Sequence, residues 1–251
     1  ARMTNLQFAA LSARVYRAEL ADETRLLLAR KPRSRGKLTD AADVKKWLVN
    51  GWSTEALLRQ NVESLSGDAL RHSLHWGFPQ AYYSTFAVLQ AYYRAIGVDN
   101  DSHAGAIRQF GIDLTQKKYP ETLRFFAIKH PPEYVRLNLG VLPSPLHFDA
   151  TNAVSVDTRI SQFLGATRKM NLARKKEESQ FKTKQGKAKK RLGGPDWARL
   201  SESLGPTTLL SCLYRKRIKA NYRDIDSLLH ADLDAHQLSQ DLNRIVRSIN
   251  F

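Results

Sequence analysis

Residues 57–110 read LLRQNVESLSGDALRHSLHWGFPQAYYSTFAVLQAYYRAIGVDNDSHAGAIRQF, and the spacing of apolar side chains in this stretch decides the fold class. Leu57, Leu58, Val62, Leu65, Leu70 and Leu74 recur about once per helical turn, which predicts a helix that opens at Ser53 and stops at Gly77-Phe78-Pro79. Tyr82, Phe86, Leu89 and Tyr93 then stand at i, i+4, i+7 and i+11, the stripe of a second, core-facing helix over 79–96 that Gly97 closes. Rings so placed pack into a core rather than stack on bases. Ser102-His103-Ala104-Gly105 starts a third helix.

Outward from this block the chain stays helical. Leu6, Ala10, Val15, Leu20 and Leu26 to Leu28 predict a helix over 5–29, broken near Ala21-Asp22. A charged connector, Lys31-Pro32-Arg33-Ser34-Arg35-Gly36-Lys37, precedes a helix that Thr39 or Asp40 caps and Asn50-Gly51 ends, which reads as a boundary. Pro120, Pro131-Pro132, Pro143 and Pro145 break the pattern over 119–152, and alternation around Tyr134 to Leu139 suggests one short strand. Helix resumes after Asp157 with Ile160, Phe163 and Leu164. After Gly193-Gly194-Pro195, Pro206 suits the first position of a long helix through Arg223, and Leu229, Leu233, Leu238, Leu242, Ile245 and Ile249 mark a last amphipathic helix. The fold class expected is mainly α.

Charge supplies the first functional signal. The 251 residues carry 40 Lys+Arg against 24 Asp+Glu, a formal net charge of +16. Eleven cations, Arg168, Lys169, Arg174, Lys175, Lys176, Lys182, Lys184, Lys187, Lys189, Lys190 and Arg191, face only Glu177 and Glu178 within 168–191, so this arm holds +9 of that charge. Such a run cannot bury itself and reads as a solvated arm. Phosphate neutralisation releases counterions, so the arm is the candidate nucleic-acid-binding segment. No run of 18 apolar residues and no signal pattern is present, which leads to the expectation of a soluble, cytoplasmic protein that does not contact membrane. Cys212, the single cysteine, sits in the apolar run Leu209 to Leu213 and reads as a buried structural thiol. His72 and His75 share a helical turn but no second ligand pair completes a site, so neither metal nor cofactor is expected.

The block over 57–110 resembles the HEPN superfamily of up-down helical bundles, found in prokaryotic toxins and antiviral effectors. Ala81-Tyr82-Tyr83-Ser84-Thr85-Phe86 is similar to the family's "YYAxF" helix, Ser102-His103-Ala104-Gly105 to its "SHxG" start, and Arg217-Ile218-Lys219-Ala220-Asn221-Tyr222 to its Arg-x-x-Ala-Asp-Tyr segment. The resemblance implies a division into an N-terminal helical extension over 1–50, the first part of the bundle over 51–118, an insertion with the basic arm over 119–205, and closing helices over 206–251. It further implies an RNA-directed protein of toxin or phage-defence type, dimeric or bound to a partner protein, and a metal-independent ribonuclease using an Arg-x(4–6)-His motif. The alternative is a non-catalytic adaptor that holds nucleic acid within a larger complex.

An imidazole can take the ribose 2′-OH proton near neutral pH while a guanidinium holds the charge developing on phosphorus. Arg124 to His130 and Arg223 to His230 both have the required spacing. Position favours Arg223 and His230, which follow the closing helix, over a pair inside the Pro-broken insertion. At the place where the family motif aligns, however, Arg217 is followed by Asn221-Tyr222 with no histidine. Arg217, Asn221, Tyr222 and His103, a possible general base at a helix start, complete the catalytic candidates.

Overall fold

The computed structural model describes residues 2–19, 40–98, 102–121, 123–129, 136–137, 148–179, 181, 189, 191–222 and 234–250. Among these the chain is mainly α, with eight helices: α1 (Arg2–Glu19), α2 (Ala41–Ser64), α3 (Gly67–Ala95), α4 (His103–Thr115), α5 (Ala153–Glu178), α6 (Gly194–Leu204), α7 (Leu209–Tyr222) and α8 (Ala235–Asn250). Between α4 and α5, the short strands β1 (Ala127–Ile128) and β2 (Arg136–Leu137) pair antiparallel.

Helix α3 is the spine. Its 29 residues span about 43 Å at 1.5 Å per residue, and it packs against α2, α7, α8 and α4. Tyr82, Phe86, Leu89 and Tyr93 are buried as their spacing requires, whereas Tyr83 and Tyr92 emerge at the surface. One continuous core joins these rings to Phe8 and Leu11 of α1, Phe125 beside β1, Ile160 and Phe163 of α5, Leu213 of α7, and Leu242 and Ile245 of α8. The N-terminal helix and the segment after α4 therefore share one core with the central block. Arg14 of α1 also pairs with Asp157 of α5.

Two helix boundaries lie elsewhere than the sequence suggests. Gly51 does not end a helix, and Ser53 does not start one: α2 runs unbroken from its Asp40 cap, whose carboxylate accepts from Ala42 N at 3.0 Å, to Ser64. Nor do Gly77-Phe78-Pro79 stop a helix, since all three lie buried inside α3. Pro79 removes one backbone bond at a cost of about 3 kcal/mol, which burial on both flanks offsets. The real break comes at Leu65-Ser66, where Leu65 is extended and Gly67 takes a positive φ of 53°.

The reason is close packing. A Cβ on Gly51 would meet Val88 Cγ2 at 2.6 Å and the Ser84 carbonyl at 3.1 Å, so only glycine lets α2 lie this near α3. Ser84 Oγ donates to the Gly51 carbonyl at 2.8 Å. From α8, Asn250 Nδ2 donates to Ser84 Oγ at 2.8 Å and to Glu55 Oε2 at 2.6 Å, so three helices lock at one point.

The later segments also differ in detail. Helix α5 begins at Ala153, ahead of the restart expected after Asp157, because Asn152 Oδ1 caps Val154 N and Ser155 N. Helix α6, which the sequence reading passes over, has Pro195 in its first turn and Asp196 Oδ2 accepting from Gly193 N at 3.1 Å. Pro206 is not a first helical residue. It packs on Gly111 of α4, and the following Thr207 exchanges two backbone bonds of 2.8 and 2.9 Å with Ala127, so α7 starts only at Leu209. The expected strand over 134–139 is seen at Arg136 and Leu137, whose partner strand had no signal in the sequence.

Gly51→Ala sets helix propensity, a gain of about 1 kcal/mol, against overpacking, a loss of about 1 to 3 kcal/mol. The 2.6 Å contact makes overpacking dominate, so urea denaturation should show net destabilisation. Adding Val88→Ala should relieve the clash, leaving the pair about 1 kcal/mol less destabilised than the sum of the singles.

Candidate functional site

Consecutive residues of a helix point about 100° apart, and α7 uses this to reach three neighbours. Arg215 Nη1 donates to Thr167 Oγ1 of α5 at 3.1 Å, and Lys216 Nζ to Thr4 Oγ1 of α1 at 2.8 Å. Arg217 turns toward α3. Its guanidinium carbon lies 4.7 Å from the ring centre of Tyr83, 5.4 Å from that of Tyr214 and 5.6 Å from that of Tyr82. Its Nη2 donates to the Tyr83 hydroxyl at 2.5 Å. Three rings facing one cation stabilise it by roughly 0.5 to 2 kcal/mol each, depending on solvent access.

His103 enters the same cluster from the first turn of α4. Ser102 Oγ caps that turn by accepting from Gly105 N at 3.0 Å, which fixes the direction of the helix start. The imidazole lies against Phe86 (centroids 4.4 Å apart), Tyr82 (5.5 Å), Tyr214 (5.9 Å) and Tyr83 (6.1 Å). A hydrogen bond of 2.8 Å joins Nδ1 to the Tyr82 hydroxyl. Arg217 and His103 thus flank the same three tyrosines, although 114 positions separate them in sequence.

Electrostatics follow from this enclosure. Burial, then the Arg217 charge, lowers the His103 pKa below its ordinary 6.5, so the imidazole is neutral at neutral pH. Burial raises the Tyr82 hydroxyl far above the usual tyrosine range, reinforced by Tyr214, so it stays protonated. Tyr83 is 39% exposed and Arg217 is only partly buried, so the outer face of the cluster reaches solvent.

Asn221 lies one turn beyond Arg217 at i+4, and Tyr222 ends α7; their side chains, like Arg223 and His230 as a whole, lie outside the described residues. His130 does too, while Arg124 sits in the turn before β1.

The basic segment divides three ways. Arg168, Lys169, Arg174, Lys175 and Lys176 ride on the second half of α5. Lys169, Arg174 and Lys176 are exposed there, with Lys176 over the Trp197 ring of α6 at 5.9 Å and Arg174 bridged to Glu178 at 3.5 Å. Lys182, Lys184, Lys187 and Lys190 lie outside the described residues, and Arg191 is exposed before α6. Two members depart from a solvated arm. Lys189 bonds both carboxylate oxygens of Asp196 at 2.8 Å, and that ammonium together with Gly193 N holds Asp196 below the usual carboxylate range. Arg168 does not belong to the expected solvated arm: only 1% exposed, it donates to four neutral acceptors inside the fold. Composition could not separate it from its neighbours, because its burial depends on α6 and the α6–α7 turn folding over it.

Cys212 is buried and its thiol is pushed up to about 12 by that burial, so it is no nucleophile at neutral pH. Among the described residues no group of three or more His, Cys, Asp or Glu side chains gathers as metal ligands, and no helix is long and apolar enough to cross a membrane. No protein-family model matches this chain, and neither the curated proteins nor the solved structures yield a match.

The His103 shift can be checked directly. Its imidazole should titrate below 6.5 by NMR, and Arg217→Gln should move the midpoint part of the way back, because burial remains. Protonation is disfavoured only in the folded state, so the unfolded chain takes up the proton first as pH falls. Stability should therefore decline below about pH 6.5, and less steeply in Arg217→Gln.

Proposed function

We propose that this chain acts on RNA as a HEPN-like, metal-independent ribonuclease, with Arg217 and His103 as its working pair and the exposed cations of α5 and the arm as its docking surface. The observation that carries this reading is the convergence of a guanidinium and a neutral imidazole on one open cluster of tyrosines. In the base form, His103 Nδ1–H donates to the Tyr82 oxygen and leaves the Nε2 lone pair for the ribose 2′-OH proton. Arg217 then neutralises the charge on the phosphorane-like transition state, and Tyr83 offers a ring face to a neighbouring base. The proton passes to imidazole, the 2′-oxygen bonds to phosphorus, and the 5′-oxygen leaves.

Single-stranded RNA should be cleaved in the presence of chelator, giving 2′,3′-cyclic phosphate ends. Arg217→Ala and His103→Ala should each cost roughly 100-fold or more in rate, and His103→Ala should leave RNA affinity unchanged. Lys at 217 should rescue poorly, because an ammonium lacks the planar fork that grips two phosphate oxygens. Replacing Lys169, Lys176, Lys187 and Lys190 with Gln should weaken binding and flatten its salt dependence by roughly one log-log unit per lost phosphate contact.

The second reading, a non-catalytic adaptor that holds nucleic acid, is favoured by the engagement of Arg217 with the Tyr83 hydroxyl and by the absence of a histidine after Arg217 in α7. Tight RNA binding with no cleavage, with or without divalent metal, would establish that reading and exclude the first. RNA affinity indifferent to both the arm and Arg217 would exclude both.

A further inference from the structure

A cavity of about 460 Å³ opens between α4, the end of β1 and α6, with Arg168 of α5 among its lining residues. Its size falls in the range of small-molecule sites. Ile112, Ile128 and Pro206 supply apolar wall, while Arg108, Lys129 and Arg168 outnumber the one carboxylate, Glu202. The lining therefore carries a formal net charge of +2.

Arg168 sets the chemistry. Nε donates to the Lys129 carbonyl at 2.6 Å, Nη1 to the Gly205 carbonyl at 2.9 Å and to Thr207 Oγ1 at 3.2 Å, and Nη2 to Ser201 Oγ at 2.6 Å. Every acceptor is neutral, and among the described residues no carboxylate lies within ion-pair distance of it. Burial lowers its pKa only to about 10, so it remains a cation at neutral pH. A charge withdrawn from water without a counter-charge is unfavourable, and an anion in the adjacent space removes that penalty.

The backbone around it is also unusual. Lys129, a residue with a side chain, holds a φ of 73°, and Gly205 a φ of 71°. Both present their carbonyls to Arg168, and the stem of Arg108 covers Gly205 so closely that a Cβ there would meet Cγ at 3.0 Å. A non-glycine residue held in left-handed backbone is strained, and such strain recurs at ligand clamps.

We propose that this cavity binds a small phosphate-bearing molecule with an apolar body, of about the size of a nucleoside monophosphate. The phosphate supplies a counter-charge beside Arg168, with Arg108 on the same wall; the apolar walls take the body, and Glu202 accepts from its hydroxyl or amino groups. The site is separate from the Arg217 cluster and stands whether or not the chain cleaves RNA.

Isothermal titration calorimetry on the full chain tests this with three probes: adenosine monophosphate, inorganic phosphate and adenosine. The monophosphate should bind saturably, inorganic phosphate should compete with it, and adenosine should bind at least tenfold more weakly. Arg108→Glu, at an exposed position, and Ala198→Trp, which fills the cavity, should each weaken the monophosphate at least tenfold, with thermal melts showing a folded protein. If Ala198→Trp fails to fold, the charge reversal at Arg108 decides the matter alone. Arg217→Ala should leave the affinity unchanged. No heat from either phosphate at millimolar concentration, affinity indifferent to Arg108→Glu, or loss of binding in Arg217→Ala would each overturn the proposal.

Discussion

The contact on which the rest depends is the junction of Gly51, Ser84 and Asn250. Helices α2, α3 and α8 meet there through a carbonyl, a hydroxyl and an amide within 2.8 Å of one another in sequence of donation. A hydroxyl that donates to one helix and accepts from another fixes both the separation and the rotation of the helix that bears it. Rotation is the consequential part. With Ser84 aimed at α2 and α8, the two preceding residues of α3 are turned about 100° and 200° away, which sends Tyr83 and Tyr82 toward α4 and α7.

The second constraint is the division of labour along α7. Three successive basic side chains could have crowded one surface, yet Arg215 and Lys216 bond to threonines of α5 and α1, and only Arg217 is left to face the tyrosines. Aromatic rings hold its charge without neutralising it. A carboxylate partner would do both, whereas a cation on ring faces keeps its electrostatic reach. The same field, added to burial, keeps His103 in its neutral form.

Arg168 and the α5 lysines illustrate how one charged run serves two ends. Facing inward, Arg168 ties Lys129, Ser201, Gly205 and Thr207 together and so joins β1, α6 and the turn into α7. Facing outward, Lys169 and Lys176 remain in solvent. A helix that carries cations on every face must bury some of them once another element covers it, and α6 provides the cover.

The sequence by itself determined that the protein is helical, that Tyr82, Phe86, Leu89 and Tyr93 form a core stripe, that Ser102 opens a helix, that Thr39 or Asp40 caps another, and that Cys212 is buried. Each of these rests on spacing or on chemistry within a turn or so of backbone, which sequence order records directly. Only the tertiary structure decided that Gly51 and Pro79 continue helices rather than end them, that Arg168 lies inside, and that His103 and Arg217 share one cluster. Those outcomes depend on which residue of a distant segment arrives opposite: Val88 against Gly51, Ser201 and Thr207 around Arg168, Tyr82 and Tyr214 between histidine and arginine. A glycine's missing Cβ signals a turn in isolation and a close approach in company, and local sequence cannot distinguish the two because the neighbouring helix that makes the difference is more than thirty residues away.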